Sequence, residues 1–263
     1  MNDKMFFGNK VLELKRFAFV MGIVNATPDS FYKSSRGGID LALRLIDEGA
    51  DILDIGGEST KPGFTEISEE EEITRIVPLI QKIRQFNDKI PISVDTRKMA
   101  VMKAAYEYGA DVLNDVSALE FDSKMAGFIS STELSVILMF WKAGGIKKAK
   151  KYLKQRVLFA KKSGIKKEKI ILDPGIGFDK SFEENCQLIK NCGDLAFCGL
   201  PVLMALSNKR CIGSMINENE DSAKRGYGTA CANLFAVESG AKIIRVHDVK
   251  SAIDSLNVMK FLK

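Results

Sequence analysis

The sequence has few of the residues that build metal clusters, disulfide frameworks or catalytic triads. Its 263 residues include one histidine and five cysteines, and no two cysteines form a Cys-x-x-Cys pair. An odd number of cysteines without that spacing argues against a zinc site and against a disulfide framework. A Ser-His-Asp triad would have to use His247, the single histidine, for which another role is predicted below.

Segments for export and for membrane insertion are also missing. The N-terminal MNDKMFFG contains too short an apolar run for a signal peptide. No window reaches the roughly 18 apolar residues that a membrane span needs. We therefore expect a cytoplasmic protein with free thiols and no membrane partner.

Concentrated positive charge is lacking. The net charge is +5, and lysine and arginine are spread along the chain, so a nucleic-acid partner is not predicted. The one basic stretch, residues 147–154, is interpreted as the solvated face of an outer helix.

Two common nucleotide-binding loops do not occur. The sequence has no Gly-x-x-x-x-Gly-Lys-Ser/Thr loop and no Gly-x-Gly-x-x-Gly opening a helix. Neither an ordinary nucleoside triphosphatase nor a dinucleotide enzyme is therefore indicated.

What the sequence does contain is a regular alternation of apolar runs and amphipathic stretches. Amphipathic stretches such as 38–49, 69–86, 97–109 and 149–163 are long enough for crossover helices. Strand-helix alternation predicts a parallel sheet, and an open doubly wound sheet is the competing architecture. Eight units in one domain, residues 1–263, favour a (β/α)8 TIM barrel preceded by a short hairpin before residue 16. The predicted strands lie near 17–24, 51–55, 90–94, 111–114, 134–139, 169–172, 200–204 and 241–246.

Polar side chains follow these runs where each strand is predicted to end. In a barrel the carboxyl ends of all strands meet at one rim, where active sites are built. Taken alone, an aspartate such as Asp95 could simply cap the next helix. Together the strand-end residues are expected to converge; they are Asn25, Asp54, Asp95, Asn114, Asp173, Ser207, Lys209, Arg245 and His247.

These residues suggest two kinds of recognition. Phosphate favours bidentate cations, and Mg2+ keeps oxygen ligands and water, so Asn25, Arg245 and His247 are suited to a diphosphate with Mg2+. Amino-type N–H groups need acceptors, and a ring carbonyl needs a donor. Such a set matches the edge of a guanine-like or pterin-like ring; its members are Asp95, Asn114, Asp173 and Lys209.

Eight motifs, in order from near residue 16 to the C-terminus, resemble those of the dihydropteroate synthase family. They are NATPDSF (25–31), DIGGESTKPG (54–63), SVDT (93–96), NDVSAL (114–119), LDPGIGF (172–178), SNKRCIG (207–213), RGYGTACA (225–232) and RVHDV (245–249). The resemblance implies a transferase of folate synthesis. It would join 6-hydroxymethyl-7,8-dihydropterin diphosphate to 4-aminobenzoate and release diphosphate. It also implies a sulfonamide target, usually a homodimer.

The resemblance assigns roles by motif. Asp95, Asn114, Asp173 and Lys209 would hold the pterin, with Met139 and Phe178 near it. Asn25 would ligate Mg2+, and Asn25, Arg245 and His247 would hold the diphosphate, with Asp54 close by. The 4-aminobenzoate loop would contain Ser59, Thr60, Lys61 and Pro62, with Ser207 near it. On this division, replacing Lys209 harms pterin binding, whereas replacing Arg245 spares it.

Four positions depart from the family pattern. Lys61 replaces an arginine, which keeps the charge and loses the planar fork. Phe140 replaces a histidine and is expected to remove a polar group near the site. Asn208 replaces an arginine, and Asp179 replaces a glycine.

Three other functions stay open. The departures leave room for a pterin-binding protein without synthase activity. A methyltetrahydrofolate methyltransferase on a related barrel has no use for a diphosphate site, so Asn25, Arg245 and His247 argue against it. A Schiff-base aldolase using Lys209 would need that lysine to be desolvated.

Overall fold

The computed structural model describes residues 4–26, 37–58 and 65–263. Eight parallel strands in this part of the chain form one sheet. They are β3 (Phe19–Asn25), β4 (Ile52–Gly56), β5 (Ile92–Asp95), β6 (Val112–Asp115), β7 (Ser135–Met139), β8 (Ile170–Asp173), β9 (Leu203–Met204) and β10 (Ile243–Val246). Each strand begins within three residues of its predicted start, so the predicted alternation is confirmed. Their order in the sheet is β8-β7-β6-β5-β4-β3-β10-β9.

The sheet closes on itself between β8 and β9. Leu172 forms a parallel bridge with Val202, and its N–H donates to the carbonyl of Pro201 at 2.9 Å. The closed (β/α)8 barrel is therefore confirmed over the open sheet. Strand β9 is shorter than the predicted run because Pro201 has no N–H to give to a ladder.

Helices cover the outside of the barrel. Serine side chains cap two of them: Ser68 accepts from the N–H of Glu71, and Ser181 forms a reciprocal capping box with Glu184. The helices of the described residues are α1 (Gly37–Asp47), α2 (Glu69–Phe86), α3 (Met99–Glu107), α4 (Met125–Ser130), α5 (Ile146–Lys162), α6 (Phe182–Lys190), α7 (Arg210–Met215), α8 (Gly226–Glu238) and α9 (Val249–Leu262).

The basic stretch lies on α5. Lys147, Lys151 and Lys154 are exposed, whereas Ala149 and Leu153 are buried against the sheet. The predicted solvated face is therefore confirmed. None of the helices described is both long and apolar enough to cross a membrane.

Alternate residues of each strand feed two apolar layers. One layer fills the barrel and includes Met21, Ile137 and Ile171, and the other lies between the sheet and the helices. Because side chains of a strand point alternately to the two faces, both layers come from near-continuous apolar runs.

The predicted N-terminal hairpin, β1 (Lys4–Phe7) and β2 (Lys10–Glu13), covers the amino end of the barrel. Phe7 is fully buried and meets Phe19 edge to face at 5.6 Å between ring centroids. Gly8 has φ +61°, and a Cβ there would lie 3.0 Å from atoms of Asp111. The hairpin therefore plugs one end and leaves the opposite rim for the site.

Candidate active site

The carboxyl ends of the strands bring the predicted residues to one rim. Asn25, Asp95 and Asp173 are the last residues of β3, β5 and β8. In the strand register Asn25 pairs with Gly56, Gly56 with Asp95, and Asp95 with Asn114. The parallel register thus aligns polar positions that are far apart in the sequence.

Arg245 links two carboxylates at the centre of this rim. Its Nε lies 2.6 Å from Asp54 Oδ2, and its Nη2 lies 3.0 Å from Asp95 Oδ2. Asn114 Nδ2 donates to Asp54 Oδ2 at 3.2 Å. Because Nδ2 is used in this way, the amide oxygen of Asn114 is left to accept from a ligand.

Asp95 has one oxygen bound and one oxygen unmatched. The residue is 6% exposed, and its Oδ1 is buried without a hydrogen-bond partner among the residues described. Burial raises the pKa of Asp95 to about 7, against the lowering effect of the Arg245 cation. Since unmatched buried acceptors are costly, this oxygen is suited to an N–H donor from a ligand.

Asp173 and Lys209 lie beside Asp95. Asp173 Oδ1 accepts from the N–H of Gly175 at 2.6 Å, and burial raises the pKa of Asp173. Burial also lowers the pKa of Lys209, and the nearby Arg245 cation lowers it further. The ammonium nitrogen of Lys209 lies 4.6 Å from the centroid of the Phe178 ring, a cation–π contact.

Ser207 and His247 form a polar pair at the ends of the last two strands. The Ser207 Oγ lies 2.9 Å from His247 Nδ1 and accepts from the backbone N–H of His247 at 3.2 Å. With that N–H donated to it, the hydroxyl is free to donate its own proton to Nδ1. When the hydroxyl donates to Nδ1, the proton of the neutral imidazole lies on Nε2.

The family model described as "Pterin binding enzyme" matches residues 21–247. The chain belongs to the pterin-binding enzyme family.

Two relatives of the chain are dihydropteroate synthases. The chain is 38% identical over 272 residues to that of Haemophilus influenzae, covering 97% of each chain. It is 37% identical over 255 residues to that of Streptococcus pyogenes serotype M3, covering 93% of this chain and 96% of the relative.

Solved structures agree with this assignment. Dihydropteroate synthase of Xanthomonas albilineans with 4-aminobenzoic acid has a TM-score of 0.92 and 37% identity, covering 100% of this chain and 98% of that chain. The enzyme of the same organism with 7,8-dihydropteroate has a TM-score of 0.89 and 35% identity, covering 99% and 98%.

Most of the predicted residues of this pterin-binding enzyme meet at the rim. Met139 is buried and pairs in register with Asp173, which places it beside the residues predicted for the pterin. Asn25 lies exposed at the end of β3. The predicted loop residues Ser59, Thr60, Lys61 and Pro62 lie outside the described residues.

The structure does not keep the residues predicted for the diphosphate apart from those predicted for the pterin. Arg245, assigned to the diphosphate, contacts Asp95, which is assigned to the pterin. Replacing Arg245 would therefore disturb the pterin side as well. The contact crosses 150 residues of sequence, so no local motif could have indicated it.

Phe140 lies elsewhere than expected. Its side chain is 2% exposed and packs against Tyr152 of α5, with 5.4 Å between ring centroids. Because Met139 faces the rim, its neighbour faces the outer helices. The expectation that the departure at 140 removes a polar group near the site is therefore wrong for this side chain.

Asn208 supports the rim loop through its backbone. It has φ +56°, a left-handed conformation that asparagine tolerates. Its N–H donates to Thr229 Oγ1 at 3.1 Å, and its carbonyl accepts from Arg225 Nη1 at 3.0 Å. These contacts hold the loop that carries Ser207 and Lys209.

Sequence reasoning missed a buried charge cluster around Lys98. Its Nζ lies 2.8 Å from Glu58 Oε2, 2.9 Å from Glu72 Oε2 and 2.7 Å from the carbonyl of Ile67. Glu58 Oε2 also accepts from the N–H of Ile67 at 2.9 Å. The signal was weak, since Lys98 is one lysine three positions after Asp95.

Proposed function

We propose that this site carries out the dihydropteroate synthase reaction, joining 6-hydroxymethyl-7,8-dihydropterin diphosphate to 4-aminobenzoate. Membership of the family supports the reaction. The observation that carries the assignment to this rim is the buried, unmatched Oδ1 of Asp95, which lies among groups able to bind the edge of a pterin.

The pterin is held by complementary hydrogen bonds. Asp95, Asn114 and Asp173 offer acceptors to its amino and ring N–H groups, and Lys209 donates to its ring carbonyl. Met139 and Phe178 form apolar walls. Such a set rejects a ring that lacks these groups, because the buried polar atoms would then be left unpaired.

The diphosphate is held by Asn25, Arg245 and His247. Arg245 uses Nε and Nη2 for Asp54 and Asp95, and a guanidinium has five N–H donors, so donors are left for phosphate oxygens. A proton on Nε2 of His247 gives a further donor. The ion pairs hold the guanidinium in place before the substrate arrives.

Mg2+ fits this set as a cation bound mainly through the substrate. In residues 4–26, 37–58 and 65–263 no three histidine, cysteine or acidic side chains are placed to hold a metal together. Mg2+ commonly takes one or two protein oxygens, substrate phosphate oxygens and water, and the amide oxygen of Asn25 suits such a role. When bound, the cation would neutralise charge on the diphosphate.

The reaction breaks the bond between the pterin methylene carbon and the diphosphate oxygen. The arylamine nitrogen of 4-aminobenzoate bonds to that carbon and loses a proton, and the products are 7,8-dihydropteroate and diphosphate. Donors fixed around the departing diphosphate stabilise its developing charge. The side chains position and stabilise, and none needs to act as a nucleophile.

The second substrate is assigned to Ser207 and to the loop with Ser59, Thr60, Lys61 and Pro62. The hydrogen bonds between Ser207 and His247 support this placement, because they join the 4-aminobenzoate side of the rim to the diphosphate side. The two reacting groups would then approach each other at the methylene.

A homodimer is supported by an apolar stripe on α8. Tyr227, Cys231 and Phe235 are all exposed and are spaced by four residues, so they share one helix face. We expect wild-type protein to sediment as a dimer and a Phe235→Glu variant to sediment as a monomer.

A cytoplasmic location is supported by the thiols. The cysteines whose side chains are described, Cys186, Cys192, Cys211 and Cys231, are free, as is usual in a reducing compartment.

Product formation from the pterin diphosphate and 4-aminobenzoate tests the function. Wild-type protein should release diphosphate and form 7,8-dihydropteroate. Lys209→Ala should weaken pterin binding by about two orders of magnitude, whereas Lys154→Ala, on the exposed face of α5, should change nothing.

Other outcomes separate the alternatives. Pterin binding without product would indicate a binding protein. Borohydride trapping of a carbonyl substrate on Lys209 would indicate an aldolase.

A further inference from the structure

Lys180 connects two loops of the rim. It lies between β8 and α6, two residues after Phe178. Its Nζ donates to the carbonyl of Phe178 at 2.9 Å and to the carbonyl of Phe140 at 2.8 Å. The same nitrogen lies 4.6 Å from the centroid of the Phe140 ring. One half-buried ammonium group thus ties the loop after β8 to the end of β7.

The remainder of that loop is fixed by close packing. Gly175 has φ +66°, and a Cβ there would lie 2.2 Å from the carbonyl oxygen of Phe140. Asn185, which is 3% exposed, accepts from the N–H of Gly177 at 2.8 Å and donates to the carbonyl of Ser181 at 2.8 Å. Asn185 fixes the loop to α6, whereas Lys180 fixes it to β7.

The loop so held carries part of the proposed pterin site. Phe178 contacts the ammonium of Lys209, and a Cβ on Gly177 would lie 3.1 Å from Lys209 Cδ. The loop begins at Asp173. A shift of this loop would therefore move the Phe178 wall relative to both the acceptor and the donor for the pterin.

We infer that Lys180 is a positioning residue for the pterin, which fixes the Phe178 loop against β7 and so sets the distance between Phe178, Asp173 and Lys209. It does not contact the reacting atoms and acts through Phe178. The inference rests on the proposed function, because it assigns Phe178 and Lys209 to the pterin.

A lysine suits this place because of its donors and its charge. An ammonium group has three donors, of which two reach the carbonyls, and its charge is attracted to the face of the Phe140 ring. The phenylalanine that departs from the family pattern thus provides the ring on which the lysine rests.

The charges around Lys180 predict a pH dependence. Burial lowers its pKa to about 8, opposed by Asp173, Glu184 and Asp179 and assisted by Lys209. Its charge is therefore present below pH 8 and lost as the pH rises through that value. A neutral amine still donates to carbonyls but loses the charge assistance, so pterin affinity should fall above pH 8.

The test compares Lys180→Met, Lys180→Arg and a matched control, Lys154→Met, whose lysine lies over the ring of Phe197 on the outside of the barrel. Steady-state kinetics gives the KM of each substrate and kcat, and calorimetry gives the Kd of pterin diphosphate. We expect Lys180→Met to raise the Kd and the KM for the pterin about tenfold, because the charge-assisted hydrogen bonds are lost. The KM for 4-aminobenzoate should stay within about twofold of the wild-type value. Lys180→Arg should recover much of this loss.

The pH profile separates Lys180 from Lys209, whose pKa is also lowered. Wild-type pterin binding should weaken as the pH rises above about 8, and Lys180→Met should lose the part of this change that Lys180 causes. If Lys180→Met does not fold, Lys180→Gln and the wild-type pH profile give the same comparison.

Two results would overturn the inference. One is a Lys180→Met protein that binds the pterin as wild type does. The other is a Lys180→Met protein that unfolds at a lower urea concentration than wild type, while the KM values for both substrates stay unchanged. A wild-type protein that makes no product would instead contradict the proposed function, and calorimetry would still report the effect of Lys180 on pterin binding.

Discussion

Asp111 and Asp95 are both buried carboxylates, but they lie at opposite ends of the barrel and have different surroundings. Asp111, at the amino end, accepts from Lys10 Nζ at 2.5 Å, Arg84 Nη2 at 2.7 Å and the N–H of Ile92 at 2.8 Å. Asp95, at the carboxyl end, accepts from Arg245 through one oxygen, and its other oxygen is unmatched in the described residues.

The difference indicates that the amino end of the barrel serves stability, whereas the carboxyl end serves ligand binding. A satisfied buried polar network makes one end rigid, whereas a partly satisfied network is costly unless a ligand completes it. The amino end joins the hairpin to the barrel, and both oxygens of Asp111 have partners there. The carboxyl end keeps donors and acceptors for a substrate, as barrel enzymes do at this face.

The largest effect is expected at Arg245. Its side chain is 18% exposed, and Arg245→Ala leaves Asp54 and Asp95 buried without their cation. Breaking such a pair costs about 3–5 kcal/mol, so both the free energy of unfolding in urea and turnover should fall strongly.

Arg16 provides a matched control at the other end. It is 17% exposed and pairs with Asp51 at 2.6 Å. Arg16→Ala should lose stability and keep its turnover within about twofold. Loss of turnover in folded Arg16→Ala protein would contradict the separation of the two ends.

A somewhat smaller effect is expected at Asp111. Asp111→Asn leaves Lys10 and Arg84 without a carboxylate, and we expect a loss of about 3 kcal/mol in the free energy of unfolding. Turnover of the folded protein should stay unchanged. The mirror variant, Asp95→Asn, should keep its stability and lose turnover; the reverse pattern in either protein would count against the comparison.

The pH dependence of pterin binding sharpens the comparison further. The raised pKa of Asp95, about 7, means that its carboxyl holds a proton at pH 6 in the free protein. Pterin N–H groups bind the ionised form, so affinity should fall about tenfold per pH unit below pH 7. Calorimetry from pH 5 to 8 measures this slope, and Asp95→Asn should bind more weakly with a flat profile.

The raised pKa of Asp95 also affects the free energy of unfolding. Between the unfolded pKa of Asp95, near 3.8, and its folded pKa of about 7, the folded protein holds a proton that the unfolded chain has lost. The contribution of this group to the free energy of unfolding is therefore fully present below pH 3.8 and is lost as the pH rises to 7.

The smallest effect is expected at Asn208. Its shorter contacts to Thr229 and Arg225 run through the backbone, and its side-chain oxygen accepts from Thr229 Oγ1 only at 3.4 Å. Glycine adopts φ +56° without steric cost. Asn208→Gly should change stability by less than about 1 kcal/mol and pterin affinity by less than about twofold. A large loss of affinity would show that the asparagine side chain itself serves the ligand.

The fold was readable from the sequence because its strands are local patterns. Each buried parallel strand is a near-continuous apolar run, and the polar residues that end the runs, such as Asn25 and Asp173, mark the rim directly. The hairpin was readable for the same reason. Strand β9 was predicted too long, because the effect of Pro201 depends on which neighbour its backbone meets.

The residues that support the site were not readable. Lys98, Lys180 and Asn185 have no distinctive spacing, and their partners are backbone carbonyls or distant acids. Phe140 was assigned to the wrong place because a motif position does not indicate which side chains of a strand point toward the rim. These assignments need the packing of one loop on another.

The sequence by itself determined where the eight strands lie, how strands and helices alternate, and which chemical groups stand at the strand ends. These features follow from local periodicity and turn chemistry. The tertiary structure decided which of those groups touch. Arg245 meets Asp54 across 191 residues because β10 pairs with β3 and β3 pairs with β4. It also decided that Asp95 keeps an unmatched oxygen, because its pairing and burial depend on neighbours such as Arg245 of β10 and Asp54 of β4.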